Sequence, residues 1–101
     1  MKSKGKARVM VTISPMLRHL SQLGDEPEVW EVRAANALDC LQIMLKRYHS
    51  MRKWVYDKEG KLLPIVWFFV NDPEMREKLK PDQFTKPLKD GDEVIIFFGK
   101  V

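Results

Sequence analysis

At 101 residues the chain has room for one domain with a single modest core. Hydrophobic residues at 45% and charged residues at 32% fit a folded, soluble protein and exclude a largely disordered one. The formal charge of +4 leaves open an attraction to nucleic acid or to an acidic surface, and the one cysteine, Cys40, cannot close an internal disulfide.

The positive charge is concentrated. Residues 1–23 carry Lys2, Lys4, Lys6, Arg8 and Arg18 without an acid, and residues 40–56 carry Lys46, Arg47, Arg52 and Lys53 without one. Asp25, Glu26, Glu28 and Glu31 form an acidic cluster between them. Exposed lysines and arginines that keep a small domain soluble are the ordinary explanation; nucleic-acid binding through the two basic patches is the specific one. The longest apolar run, residues 65–70, is too short to span a bilayer. The N-terminal "MKSKGKARVMVTI" alternates polar and apolar positions where a signal peptide needs an unbroken apolar stretch, so the expected location is the cytoplasm.

In chain order, residues 1–7 read as a basic arm. Arg8 to Ile13 then alternates as a strand, with Val9, Val11 and Ile13 on one face and Arg8, Met10 and Thr12 on the other. "EVWEVRA", Glu28 to Ala34, alternates again, which predicts an antiparallel hairpin closed by the "LSQLGDEPE" loop. The period then lengthens. Asn36 is a good helix N-cap, Asp39 suits the positive end of the helix dipole and a capping exchange, and Leu38, Leu41, Leu45 and Tyr48 recur at helical spacing. Met51, Trp54 and Val55 are expected as an apolar lid at the core's edge, and "DKEGK" as a turn.

"LPIVWFFVND" is a third strand, apolar on both parities, with Ile65, Trp67 and Phe69 on one side and Val66, Phe68 and Val70 on the other. Residues 72–84 predict a short helical turn that begins near Pro73 and is stopped by Pro81. Asp90-Gly91 then turns the chain into a last strand, Glu93 to Phe98, again apolar on both faces. One long helix with four strands is an α+β pattern in which the helix covers a single sheet face. Two strands apolar on both sides leave the second face to be explained.

"FVN" at Phe69 to Asn71, together with "KPLKDGDEVIIF" at Lys86 to Phe97, resembles the motifs of the MoaD/ThiS family, the ubiquitin-like sulfur carriers of molybdopterin and thiamine biosynthesis. The resemblance runs from about Val9 to Phe98. It implies a β-grasp fold: a mixed four-stranded sheet with one main helix on one face and the last strand central, parallel to the first and beside the third. It further implies a noncatalytic protein that docks on a larger partner enzyme, an adenylating enzyme or the large subunit of a synthase. Such a protein needs no cofactor or metal of its own. Family members act through a Gly-Gly C-terminus whose carboxylate is adenylated and converted to a thiocarboxylate; residues without a Cβ thread a narrow channel.

The partner-binding residues expected from this likeness are Trp67, Phe69, Ile95 and Phe97 on the second sheet face, with Gly99, Lys100 and Val101 as the tail. Large exposed apolar patches mark partner surfaces, whereas burial under the chain's own loops is the alternative. In this sequence Gly99, Lys100 and Val101 stand after Phe98 where the family continues to two glycines. Lys100 is long and Val101 β-branched, so a binding or regulatory subunit without sulfur transfer is the other reading. Elsewhere, Cys40 reads as helix packing, His19 and His49 lack ligand spacing, and Trp30, Trp54 and Trp67 read as core or interface anchors.

Overall fold

The computed structural model describes residues 6–99. The chain runs β1 (Ala7–Ile13), α1 (Pro15–Leu20), β2 (Val29–Ala34), α2 (Ala37–Arg47), a 3₁₀ turn (His49–Met51), α3 (Arg52–Val55), β3 (Val66–Val70), a second 3₁₀ turn (Pro81–Gln83) and β4 (Glu93–Phe98). The four strands form one sheet in the order β2-β1-β4-β3. β1 pairs antiparallel with β2 and parallel with β4, and β3 pairs antiparallel with β4. The last strand is therefore central, as expected for a β-grasp fold. Both of its edges are hydrogen-bonded, so an oily sequence there presents no open edge.

Alternation along the strands sets one face of the sheet under α2. Val9, Val11 and Ile13 of β1, Trp30, Val32 and Ala34 of β2, Phe68 of β3, and Val94 and Ile96 of β4 are all buried. Ala37, Cys40, Leu41, Met44 and Leu45 of α2 close over them, and Met51 and Val55 extend the lid. A fully buried side chain of this size stabilises by about 1.5–3 kcal/mol, so this layer outweighs any surface contact. α2 starts where its cap predicts: Asn36 Oδ1 accepts the Asp39 N–H at 2.8 Å. The return bond goes one residue further back, from the Ala35 N–H to Asp39 Oδ2 at 2.8 Å.

Four expectations are corrected. Ala7, assigned to the arm, is buried as the first residue of β1, and Lys6 is bonded to Asp39 at 2.9 Å. The β1–β2 connection contains a short helix, started by Pro15 and anchored by buried Leu17; Arg18 then holds the rest of the loop by donating to Pro27 O at 2.6 Å, Glu26 O at 2.7 Å and Gly24 O at 3.3 Å. Residues 73–80 form no helix. Met75 takes φ 51°, Asp72 Oδ2 accepts the Glu77 N–H at 2.9 Å, and the Leu79 N–H donates to Phe68 O at 2.8 Å, so a sheet edge takes the bonds that a one-turn helix would have needed. Pro81, expected as a stop, is instead the first residue of a 3₁₀ turn.

Candidate functional site: the outer sheet face and the root of the C-terminus

The face of the sheet opposite α2 is graded along the strands. Registers place Val29, Thr12, Ile95 and Phe69 side by side across all four strands. Phe97 and Trp67 form the next pair toward the end of β4. In the other direction come Glu31, Met10 and Glu93, then Arg33 beside Arg8. The end nearest the C-terminus is thus apolar and the far end charged, with Arg8 Nε 3.1 Å from Glu31 Oε2.

Trp67, Phe69 and Phe97 form a triangle of rings with centroids 6.4, 6.1 and 5.9 Å apart. These separations fall in the range of favourable edge and tilted contacts. Trp67, Phe97 and Ile95 are half-buried, but Phe69 is only 2% exposed. Phe69, expected among the exposed partner-binding residues, is instead buried at the floor of the apolar patch, with Trp67 and Phe97 packed around it. Trp67 is fixed by an Nε1–H bond to Pro64 O at 3.2 Å, and Lys78 Nζ lies 4.4 Å from its ring centroid. An ammonium over an indole face is attracted by the ring quadrupole. Met10 at 36% and Val29 at 45% exposure widen the apolar surface onto β1 and β2. Strand alternation alone places both on the outward parity; their membership of the patch needs the register.

The two motifs behind the family resemblance meet beside this face. Asn71, at φ 54°, donates from Nδ2 to Asp92 Oδ1 at 2.9 Å and accepts the Glu93 N–H on Oδ1 at 2.9 Å. Asp92 Oδ2 accepts the Lys89 N–H at 2.8 Å, closing the turn in which Gly91 stands at φ 91°. On the other side Asp90 Oδ1 accepts the Arg8 N–H at 2.9 Å, and the Gly91 N–H donates to Arg8 O at 2.9 Å. The turn is tied to β1 and β3 at once, which delivers β4 into the gap between them.

At the opposite end of β4 the chain leaves the sheet over the aromatic triangle. Gly99 is buried and donates its N–H to Ile65 O at 2.6 Å. Lys100 and Val101, also expected at the site, lie outside the described residues.

The remaining candidates lie apart from this face. Cys40 is fully buried in α2; burial, with the neighbouring Asp39 carboxylate, pushes its thiol up to about 12. His19 and His49 are both exposed, and among the described residues no group of three or more His, Cys, Asp or Glu side chains comes together. Trp30 is a core anchor, donating from Nε1 to Tyr48 OH at 3.1 Å. Of the second basic patch, Arg52 and Lys53 lie over the Tyr56 and Trp54 rings, each at 5.5 Å. Among the described residues no helix is long and apolar enough to cross a membrane.

No protein-family model and no curated protein matches the chain. Solved structures do. The chain is similar to small archaeal modifier protein 1 of Haloferax volcanii, with TM-score 0.70 and 15% identity over 93% of this chain and 99% of the other. It is similar to the Methanosarcina acetivorans protein of the same name, with TM-score 0.66 and 16% identity over 93% and 94%. A chain of the Amycolatopsis orientalis BexX/CysO complex matches with TM-score 0.66 and 24% identity over 92% and 97%. Superposition on these chains over more than nine-tenths of this one, together with the central parallel β4, establishes the architecture: the protein has the β-grasp, ubiquitin-like fold.

Proposed function

We propose that the protein is a noncatalytic ubiquitin-like subunit that docks the apolar end of its outer sheet face, with the adjoining C-terminus, onto a larger partner enzyme, as the MoaD/ThiS resemblance implies. The observation that carries this reading is the placement of half-exposed Trp67, Ile95 and Phe97 beside the point where the chain leaves β4. A partner gripping the tail there also covers aromatic and aliphatic side chains of the kind that anchor interfaces. A chain of similar fold occurs within the BexX/CysO complex, which supports docking as a use of this architecture.

In the carrier form of this role, the terminal carboxylate attacks the α-phosphorus of ATP, releasing pyrophosphate. A sulfur donor then displaces AMP to leave a thiocarboxylate. Incubation with an adenylating enzyme that loads a Gly-Gly control, ATP and sulfide, followed by intact mass measurement, tests it. Replacement of one oxygen by sulfur identifies a carrier. An unchanged mass while the control loads identifies the second reading, a binding or regulatory subunit without sulfur transfer. That second reading is favoured by the burial of Gly99, which ties down backbone that a threading tail has to free.

A further inference from the structure

Gly99 occupies a position that only glycine fits. A Cβ built on it falls 2.6 and 2.7 Å from Trp67 Cδ2 and Cζ2, and closer still to Cε2, so it would collide with the indole near the bond its two rings share. A Cβ here requires the indole to move, and Trp67 is held by Pro64 O and packed against Phe69 and Phe97. Two successive backbone amides are fixed here on opposite sides. The Phe98 N–H donates to Ser14 Oγ at 3.2 Å, on the β1 side, and the Gly99 N–H donates to Ile65 O at 2.6 Å, on the β3 side. The bond to Ile65 extends the β3–β4 ladder one residue past the Val66 and Phe98 pair.

We infer that Trp67 and Gly99 form a clamp: the indole receives the bare backbone of Gly99 and closes the root of the C-terminus onto the outer face, so that release of the tail is a distinct opening step. Local openings of this kind carry their own free energy, separate from global unfolding. Its use in regulation rests on the docking reading above, since a partner that draws the tail away from the sheet has to break the Gly99–Ile65 bond and uncover the indole. Trp67 then has two roles, as part of the docking surface and as the residue that positions the tail. The clamp itself is a property of the isolated chain.

Amide hydrogen exchange by NMR on the isolated full chain tests the clamp without a partner, so its failure is distinguishable from failure of the docking reading. In the wild type the Gly99 amide is expected to exchange about tenfold or more slowly than an unstructured peptide, and the Gly99 α-protons to show cross-relaxation to the Trp67 ring. In Gly99→Ala the protection at residue 99 is expected to fall to the peptide level. Trp67→Ala, which removes the closing indole and leaves Gly99 in place, is expected to lower the protection of the Gly99 amide as well. Protection of the Phe68 and Ile96 amides reports that the fold is intact in each variant. A wild-type Gly99 amide that exchanges at the peptide rate overturns the proposal, as does a Gly99→Ala chain that keeps full protection. Full Gly99 protection retained in Trp67→Ala overturns it too, and the wild-type and Gly99→Ala measurements decide the matter even if that variant does not fold.

Discussion

Replacing Asn71 separates two contributions that the structure superimposes at one residue. Asn71 stands at φ 54°, a left-handed conformation that costs a residue with a Cβ about 1–2 kcal/mol, and asparagine tolerates it better than most. Its side chain also makes two bonds to the turn before β4, one to the Asp92 carboxylate and one from the Glu93 N–H. Each is worth about 0.5–1.5 kcal/mol, and at an exposed site the lower half of that range applies. Asn71→Ala removes both bonds and keeps the strain, for an expected loss of about 1–2 kcal/mol. Asn71→Gly removes the bonds but accepts the backbone, so it should retain about 1 kcal/mol more than the alanine variant. With a urea slope near the middle of the usual range of about 1–3 kcal/mol/M for a small domain, the alanine variant's unfolding midpoint should fall by about 0.5–1 M. Equilibrium urea unfolding followed by tryptophan fluorescence measures both. If alanine and glycine variants unfold together, the strain term is wrong; if both match the wild type, the motif pair does not hold β4 in place.

Three further outcomes follow from the core and its charges. Phe68 is fully buried and packs edge-on against Phe84 at 5.0 Å, so Phe68→Ala should cost about 3–5 kcal/mol in urea unfolding, whereas Ile95→Ser on the outer face should cost far less. For Asp39, burial alone would raise the pKa, but the Lys6 ammonium, the Ala35 N–H and the charge of Lys46 outweigh it and hold the carboxyl below 3.8. A lowered folded value means stability that is present above the unfolded pKa and lost as pH falls through the folded one. Thermal unfolding of Asp39→Asn should therefore lie below the wild type at pH 7, and the gap should narrow below about pH 4. Cys40, buried and with its thiol pushed up to about 12, should resist a disulfide-exchange reagent at pH 8 in the native protein and react fully in denaturant; rapid native labelling would show that α2 opens locally.

Much of this fold is legible where one local rule acts without competition. The Asn36 cap and the alternation in β1 and β2 place α2 and the hairpin correctly, and Glu93 to Phe98 has the same limits in sequence and structure. Residues 73–80 were not legible in the same way. Their Pro-Glu start resembles a helix, but the outcome depends on Phe68 O, an acceptor on a sheet edge, whose availability no local pattern reports. The short helix at Pro15 was hidden for a related reason: Ser14 precedes it, but its hydroxyl oxygen accepts the Phe98 N–H instead of capping the helix. On the outer face, parity identified Trp67, Phe69, Ile95 and Phe97 as one group. It did not separate the buried member, because Phe69 is covered by neighbours on its own strand and on β4 that parity places beside it at equal rank.

That distinction bears on what the face can do. An apolar patch that is flat and fully exposed would favour nonspecific association, yet here the ring at the centre is sealed and its neighbours are held in fixed orientations by Pro64 O and by each other. Side chains already ordered lose less entropy when a partner covers them. The charged end of the face, with Arg8 and Glu31 paired and Arg33 and Glu93 nearby, leaves a partner one orientation that matches apolar to apolar and polar to polar. Because β4 runs from the charged end to the apolar one, a partner docked as proposed in that orientation would also meet the root of the tail at Gly99. The parallel pairing of β1 with β4 thus puts the proposed docking surface beside the root of the tail, and the bonds of Asp90 and Gly91 to Arg8, with the Asn71–Asp92 bond on the β3 side, seat β4 in that pairing.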